Sequence, residues 1–321
     1  MALDILPNAI GLPALFPIDL EIRLFAPLQR SPEALPVGDL IIVNSFVRLL
    51  RARLVIEFGT ARGRTAVNLA LNASEDAEIV SIDVQRHVPQ YEHGGARVTK
   101  LVVPSREFDD GPYRGRADFV FVDGSHEYQD VLSDSRKALD MVRPGGVVLW
   151  HDYHSTQAGV TQALHEVYES DRRFHGLTRI LRDSGADSSL VYFKAPTEAD
   201  RLEATLIPLV AGAIRRCRKD RVARVFLFGA GPHTDAVISL WTQQGGPAIQ
   251  GILTSEPPAA GAGGAGLPFV ATHSFEPAAG DGIVLSSQTF EFDLANVCRR
   301  LWPEVACYAL FDAASSDTVV R

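Results

Sequence analysis

The stretch Val55-Ile56-Glu57-Phe58-Gly59-Thr60-Ala61-Arg62-Gly63-Arg64-Thr65 limits the fold more than any other part of the chain. Residues 54–58 are an apolar run short enough for a buried strand. The run breaks at Gly59 into a tight loop, and residues 65–71 continue as a helix. Strand, glycine turn and helix in this order open a nucleotide-type site in a parallel sheet. Gly59 and Gly63 carry no Cβ, so the backbone there can approach a ligand closely. The spacing is Glu-x-Gly-x-x-x-Gly. The dinucleotide pattern Gly-x-Gly-x-x-Gly, by contrast, seats a pyrophosphate on the helix N-terminus. A wider loop with an acid two residues before the first glycine suits a cationic ligand without phosphate. A tight βα turn with no ligand explains this stretch, taken alone, equally well.

Beyond it the pattern alternates. Strands are expected at 77–83, 98–103, 118–123 and 146–151, with helical or loop segments between them, and a closing pair at 179–181 and 190–193 around a turn at 183–187. Such alternation gives an α/β fold, a doubly wound and mostly parallel sheet with helices on both faces. Residues 1–36 hold Pro7, Pro13, Pro17, Pro27, Pro32 and Pro36 among apolar residues. An arm with short helical turns, packed on a domain or on a partner chain, fits that composition better than disorder. Residues 37–50 read as an amphipathic helix. Residues 198–218 read as one long helix interrupted by Pro208. A second strand-turn-helix follows, at 224–228 and Gly229-Ala230-Gly231-Pro232-His233, with short strands at 249–253, 269–270, 283–286 and 308–311. The expected organisation is an arm (1–36), a first α/β domain (37–196), a helical linker (197–221) and a smaller Rossmann-like α/β domain (222–321).

Composition narrows the function. The 321 residues, 46% of them hydrophobic, suffice for two cores. The net charge is −8, and the densest basic run, Arg215-Arg216-Cys217-Arg218-Lys219, reads as a solvated helix end. Both point away from nucleic acid. Cys217, Cys298 and Cys307 lack metal-ligand spacing and fit a reducing, cytoplasmic setting. The N-terminus lacks the basic region of a signal peptide. No apolar run approaches the roughly 18 residues that a membrane span needs.

Chemistry gathers at expected strand ends. Asp83 closes its strand about 20 residues after Gly63, where an acid accepts hydrogen bonds from both hydroxyls of a ribose. Val84 follows it, and Ser105 and Arg106 come after the next strand, positions that would flank a base; an ordinary loop explains these equally well. Asp123-Gly124-Ser125-His126 ends the fourth strand and Trp150-His151-Asp152-Tyr153-His154 the fifth. In a doubly wound sheet these strands lie side by side, so Asp123, His126, His151 and Asp152 open on the crevice of the glycine loop. Two carboxylates with oxygen-rich surroundings suit Mg²⁺, and imidazole shifts the preference towards Mn²⁺ or Fe²⁺. A histidine beside the metal is placed to take a proton from a hydroxyl. Acids that only cap turns, with histidines on a solvated rim, are the plainer alternative.

Together, Glu57-x-Gly59-x-x-x-Gly63, Asp83, Phe121-Val122-Asp123-Gly124-Ser125-His126 and Pro144-Gly145-Gly146 through His151-Asp152 resemble class I S-adenosylmethionine-dependent methyltransferases, in particular the branch that includes macrocin-type sugar O-methyltransferases. The resemblance covers about residues 40–195. It implies a seven-stranded sheet of order 3-2-1-4-5-7-6 and S-adenosylmethionine as cofactor. It implies that the loop of Gly59, Thr60, Ala61, Gly63 and Thr65 passes under the methionine part, with Glu57 beneath it near the donor's amino group. Asp83 would hold the ribose, with Val84, Ser105 and Asp123 also at the cofactor. Asp123 and Asp152 would bind a divalent metal that orients the acceptor oxygens, and His126 resembles the proposed general base. His151 stands where some relatives place a third, acidic ligand, so as a ligand it makes the site richer in nitrogen. The implied activity is metal-assisted O-methylation of a small hydroxylated acceptor, a sugar or glycosylated natural product being the first class. The arm or the second domain would serve any homo-oligomer. Two rivals stand beside this reading. One is an NAD(P)-dependent oxidoreductase that uses Gly229-Ala230-Gly231. The other is a non-catalytic scaffold that keeps cofactor affinity without metal dependence.

Overall fold

The computed structural model describes residues 6–25, 35–85, 98–182, 185, 187–230, 233–255, 264–287 and 290–311. The chain divides into two units, 1–197 and 198–321. The first runs β1 (Asn8–Gly11), α1 (Leu12–Leu15), α2 (Val37–Leu50), β2 (Leu54–Phe58), α3 (Arg64–Asn72), β3 (Glu78–Asp83), β4 (Val98–Val102), β5 (Ala117–Val122), α4 (Tyr128–Met141), β6 (Val142–Trp150), α5 (Ala158–Ser170), β7 (Thr178–Leu181) and β8 (Asp187–Lys194). Its sheet has the order β1-β7-β8-β6-β5-β2-β3-β4. Only β8 runs antiparallel to its neighbours. The expected seven-stranded order is present with an eighth strand added. The proline-rich arm supplies that strand, β1, which pairs in parallel with β7 from Asn8↔Thr178 to Gly11↔Leu181. The arm's described part thus packs on its own sheet, with Leu6 fully buried in the core.

The sheet is legible from its period of two. Ile56, Phe58, Val80, Ile82, Val120, Val122, Val148 and Trp150 face one core, shared with α4 and α5. Their neighbours Val55, Ile79, Phe119, Phe121, Val147 and Leu149 face the other, shared with α2 and α3. Burying each such side chain contributes about 1.5–3 kcal/mol, and a one-residue slip of any central strand would reverse both faces. From β2 the chain moves outward to β3 and β4, then returns to β5 on the other side of β2. That reversal leaves a crevice outside the carboxyl ends of β2 and β5.

The second unit contains α6 (Glu198–Lys219), β9 (Arg224–Phe228), α7 (Thr234–Gln243), β10 (Ala248–Thr254), β11 (Phe269–Ala271), β12 (Asp281–Leu285), α8 (Glu291–Leu301) and β13 (Ala306–Ala309). Its sheet has the order β11-β10-β9-β12-β13 and is parallel throughout. Residues 197–221 are not a linker. Helix α6 buries Leu206, Val210, Ala213, Ile214 and Cys217 in the core of this unit and continues through Pro208. Apolar packing on both sides of Pro208 outweighs the backbone bond that the proline removes. The last strand begins two residues before the expected 308, at Ala306, and most of the low-complexity stretch 259–266 lies outside the described residues.

Candidate active site

The glycine turn is sterically required. Gly59 has φ 98°, and its N–H donates to the Ile82 carbonyl at 2.8 Å. A Cβ built there would lie 2.1 Å from the Asp123 carbonyl oxygen, so the β2 and β5 ends meet only because the residue is glycine. Gly63 (φ 85°) caps α3. Between them Ala61 holds φ 40°, and its N–H donates to Asp83 Oδ2 at 2.9 Å. Asp83 Oδ1 accepts from the Gln85 N–H at 2.8 Å. The acid at the end of β3 therefore ties the loop down through both carboxylate oxygens.

Glu57 lies fully buried beneath the loop. The Ser81 hydroxyl donates to its Oε2, and Ser81 also meets the Thr60 hydroxyl at 2.6 Å. Glu57 Oε1 has no partner. Burial pushes the Glu57 carboxyl up to about 8, against the Ser81 bond, and the charges of Asp123 and Asp83 push the same way.

A cleft of about 940 Å³ opens over these elements. Of the expected cofactor residues, Gly59, Ala61, Asp83, Val84, Ser105 and Asp123 line it, as do His126, His151 and Asp152. Glu57, Thr60, Gly63 and Thr65 do not. Glu57 and Thr60 instead support the loop through Ser81, and Gly63 and Thr65 belong to the start of α3.

The carboxyl ends of β5 and β6 meet as expected. His126 Nε2 lies 2.9 Å from Asp152 Oδ2, and Asp123, His126 and Asp152 each offer a ligand atom within 4.8 Å of the others. Asp152 sits at φ 61°, a conformation that aspartate tolerates better than most residues. Gly159, at the start of α5, packs so tightly on this loop that a Cβ would stand 2.3 Å from the His126 carbonyl oxygen. The Asp152 bond raises the His126 pKa more than burial lowers it. Burial would raise that of Asp152, but bonds from His126 and His151 hold it well below the usual carboxylate range. Two carboxylates and one imidazole at the mouth of a cleft are a donor set that a hard or borderline divalent cation accepts.

His151 does not join that set. Its Nδ1 lies 3.0 Å from Asp123 Oδ1 and 3.3 Å from Asp152 Oδ2. Its Nε2 faces Asp39 Oδ2 at 3.4 Å and Ser189 Oγ at 3.1 Å. Burial would lower its pKa, yet hydrogen bonds to Asp123, Asp152 and Asp39 lift it to about 11. His151 bridges the Asp123 and Asp152 carboxylates on one side and faces Asp39 and Ser189 on the other. Sequence reading missed Asp39, which is 2% exposed on α2. The one available signal was an acid on the apolar face of an amphipathic helix, among Leu40, Ile42, Val43, Phe46 and Val47.

In the second unit Gly229 has φ 110° at the end of β9, but Gly231 and Pro232 lie outside the described residues. Ser286 and Asp235 near this turn bind backbone, while His233 Nε2 is buried with no partner. Ser286 Oγ donates to the Gly229 carbonyl at 2.7 Å. Asp235 Oδ1 accepts from the N–H groups of Gly264 and Ala265.

Residues 56–153 match the profile of a family described as a methyltransferase domain. The chain is similar to a caffeoyl-CoA O-methyltransferase of Petroselinum crispum, with 25% identity over 191 residues, covering 55% of this chain and 73% of that one. It is also similar to caffeoyl-CoA O-methyltransferase 2 of Populus trichocarpa, with 26% identity over 120 residues, covering 33% and 47%. The chain thus spans nearly three quarters of the first enzyme and about half of the second. Among solved structures it is similar to the O-methyltransferase TomG of Streptomyces achromogenes, with 19% identity and TM-score 0.37, covering 50% of this chain and 82% of that one.

Proposed function

We propose that this chain, an S-adenosylmethionine-dependent O-methyltransferase, uses a divalent metal held by Asp123 and Asp152 to methylate a small hydroxylated acceptor. The convergence of Asp123, His126 and Asp152 on the cleft that Gly59 and Asp83 also line carries this reading. The loop from Gly59 to Gly63 and Asp83 bind and orient the methyl donor, and the buried floor of β2 and β5 excludes water from one side of the reacting atoms. Asp123 and Asp152 would hold the ion, which would supply Lewis-acid stabilisation of negative charge on the acceptor oxygen. His126 is the proton acceptor: its side chain is 38% exposed towards the cleft mouth and is aimed by its bond to Asp152. His151, 9% exposed, fixes the spacing of the two carboxylates.

An acceptor with two adjacent hydroxyls would suit a divalent ion held by Asp123 and Asp152, which favours vicinal diols. Sugars and glycosylated natural products are the first class to test, by likeness to the macrocin-type branch. Aromatic diols are the second, by likeness to the caffeoyl-CoA enzymes. Turnover with Mg²⁺ or Mn²⁺, lost in EDTA and restored by the ion, tests the reading. His126→Gln should retain Mn²⁺ binding and lose turnover. Metal-independent turnover by the wild type would refute metal assistance, and full activity of His126→Gln would refute the base.

A further inference from the structure

Helix α3, whose N-terminus follows the glycine loop, also holds the N-terminal arm. Arg64, Asn68 and Asn72 stand at positions i, i+4 and i+8 and form one stripe along it. All three are buried. Asn72 Oδ1 accepts from the Arg23 N–H at 2.8 Å, and Asn72 Nδ2 donates to the Arg23 carbonyl at 2.7 Å. Asn68 Oδ1 accepts from the Phe25 N–H at 2.7 Å. Leu24, between these two residues, packs on the core shared with α2 and α3. At the other end of the stripe Arg64 Nη1 donates to the Leu35 carbonyl at 3.1 Å, and Leu35 lines the cleft. The main chain of the arm therefore meets α3 at three levels, from Asn72 in its last turn to Arg64 in its first.

A side-chain amide can serve the N–H and the C=O of one residue at once, so it fixes an extended segment through its main chain. Release of the arm is costly on the helix side too. It leaves the buried Oδ1 atoms of Asn68 and Asn72 without these donors. It also takes the Leu35 carbonyl from Arg64, a buried guanidinium whose Nε and Nη2 have no partner. Gly63 is the N-cap of α3, so any shift of α3 is a shift of the loop assigned to the methyl donor. Resting on the cofactor reading above, we propose that Arg64, Asn68 and Asn72 are positioning residues that couple docking of the arm to binding of the donor. The donor binds the docked state more tightly, and the bound donor holds the arm down. Such coupling is reciprocal: the factor by which the donor restrains the arm is the largest factor by which release of the arm can weaken the donor.

Arg23 supplies the readout. Its side chain is exposed and trypsin cuts after arginine, but the main chain there must leave Asn72 before a protease can hold it. The test is the initial rate of tryptic cleavage of the Arg23–Leu24 bond in the full chain, followed by mass spectrometry with and without saturating S-adenosylhomocysteine. The Arg136–Lys137 bond, inside α4, reports unfolding of the whole unit. Without ligand the wild type should be cut at Arg23–Leu24 about tenfold or more faster than at Arg136–Lys137, because the arm opens locally. The ligand should slow the cut at Arg23–Leu24 by about fivefold or more. Asn72→Ala and Asn68→Ala should each speed that cut and weaken S-adenosylhomocysteine, measured by equilibrium binding, by up to the same factor. A purely structural role would speed the cut and leave the affinity as in the wild type; that result overturns the inference. Two wild-type results overturn it without any variant: a rate at Arg23–Leu24 that the ligand does not change, or one equal to that at Arg136–Lys137. Failure of the wild type to bind S-adenosylhomocysteine at all would instead sink the cofactor reading on which the inference rests.

Discussion

The two units start alike and end differently. Each places a glycine with strongly positive φ after a central parallel strand, Gly59 in one and Gly229 in the other. Each reverses its strand order beside that strand. In the first unit the neighbouring strand ends carry Asp83, Asp123, His126 and Asp152, whose side chains reach a cleft. In the second, Ser286, Asp235 and Glu291 spend their oxygens on backbone groups of nearby loops; Glu291 Oε1, for example, accepts from the N–H groups of Leu310 and Phe311. The strand-glycine-helix turn is therefore a generic way to build a crevice. Chemistry depends on which polar groups the adjacent strand ends bring together at the crevice.

The sharpest break of this comparison is steric. Gly59→Ala forces a Cβ to 2.1 Å from backbone, whereas at Gly229 the nearest contacts are side-chain atoms at 3.2 Å. The first substitution should cost the first unit more than about 5 kcal/mol, so that its melting transition disappears. The second should cost the second unit about 1–2 kcal/mol, mostly from the backbone conformation. Two-transition calorimetry of the full chain separates them. Comparable losses would show that the turns are equivalent after all.

Next comes chemistry. Asp152→Ala should abolish Mn²⁺ binding, followed by electron paramagnetic resonance, and lower turnover by about a thousandfold or more, near 4 kcal/mol. Asp235→Asn in the second unit should change neither. Unaltered Mn²⁺ binding in both Asp152→Ala and Asp123→Ala would remove the proposed metal site.

A third difference is pH. The Glu57 carboxyl ionises near 4.5 when unfolded and near 8 in the folded chain. Folding therefore takes up a proton between those values, and stability declines as pH rises from about 4.5 to 8. Glu57→Gln removes that decline. Relative to wild type it should stabilise the first unit by about 4 kcal/mol at pH 8, about 2 at pH 6 and nothing near pH 4. A difference independent of pH would place the Glu57 proton elsewhere. The smallest effect belongs to the group behind the metal ligands. Asp39→Asn weakens the hold on His151 and should loosen Mn²⁺ about tenfold, with the melting transition little changed. Unchanged affinity would make Asp39 a packing residue only.

Much of this was legible in the sequence because it rests on local rules. The apolar runs placed the strands, the family resemblance implied their order, and the acids and histidines after Val122 and Trp150 had to meet once those strands were neighbours. What stayed hidden was non-local. Nothing near Asn8 announces that residues 8–11 pair with 178–181. That His151 faces Asp39, 112 residues earlier in the chain, is invisible at that position. The helix at 198–219 looked like a linker because its burial depends on strands that come later.

No helix among the described residues is long and apolar enough to cross a membrane. S-adenosylhomocysteine titrated into wild type, Asp83→Ala and Asp235→Asn, with and without Mn²⁺, tests whether the cleft of the first unit is the cofactor site. The account predicts binding by the wild type, weakening of tenfold or more in Asp83→Ala, about 1.4 kcal/mol, and no change in Asp235→Asn. Absence of binding by the wild type, or equal affinity of Asp83→Ala and wild type, would contradict it.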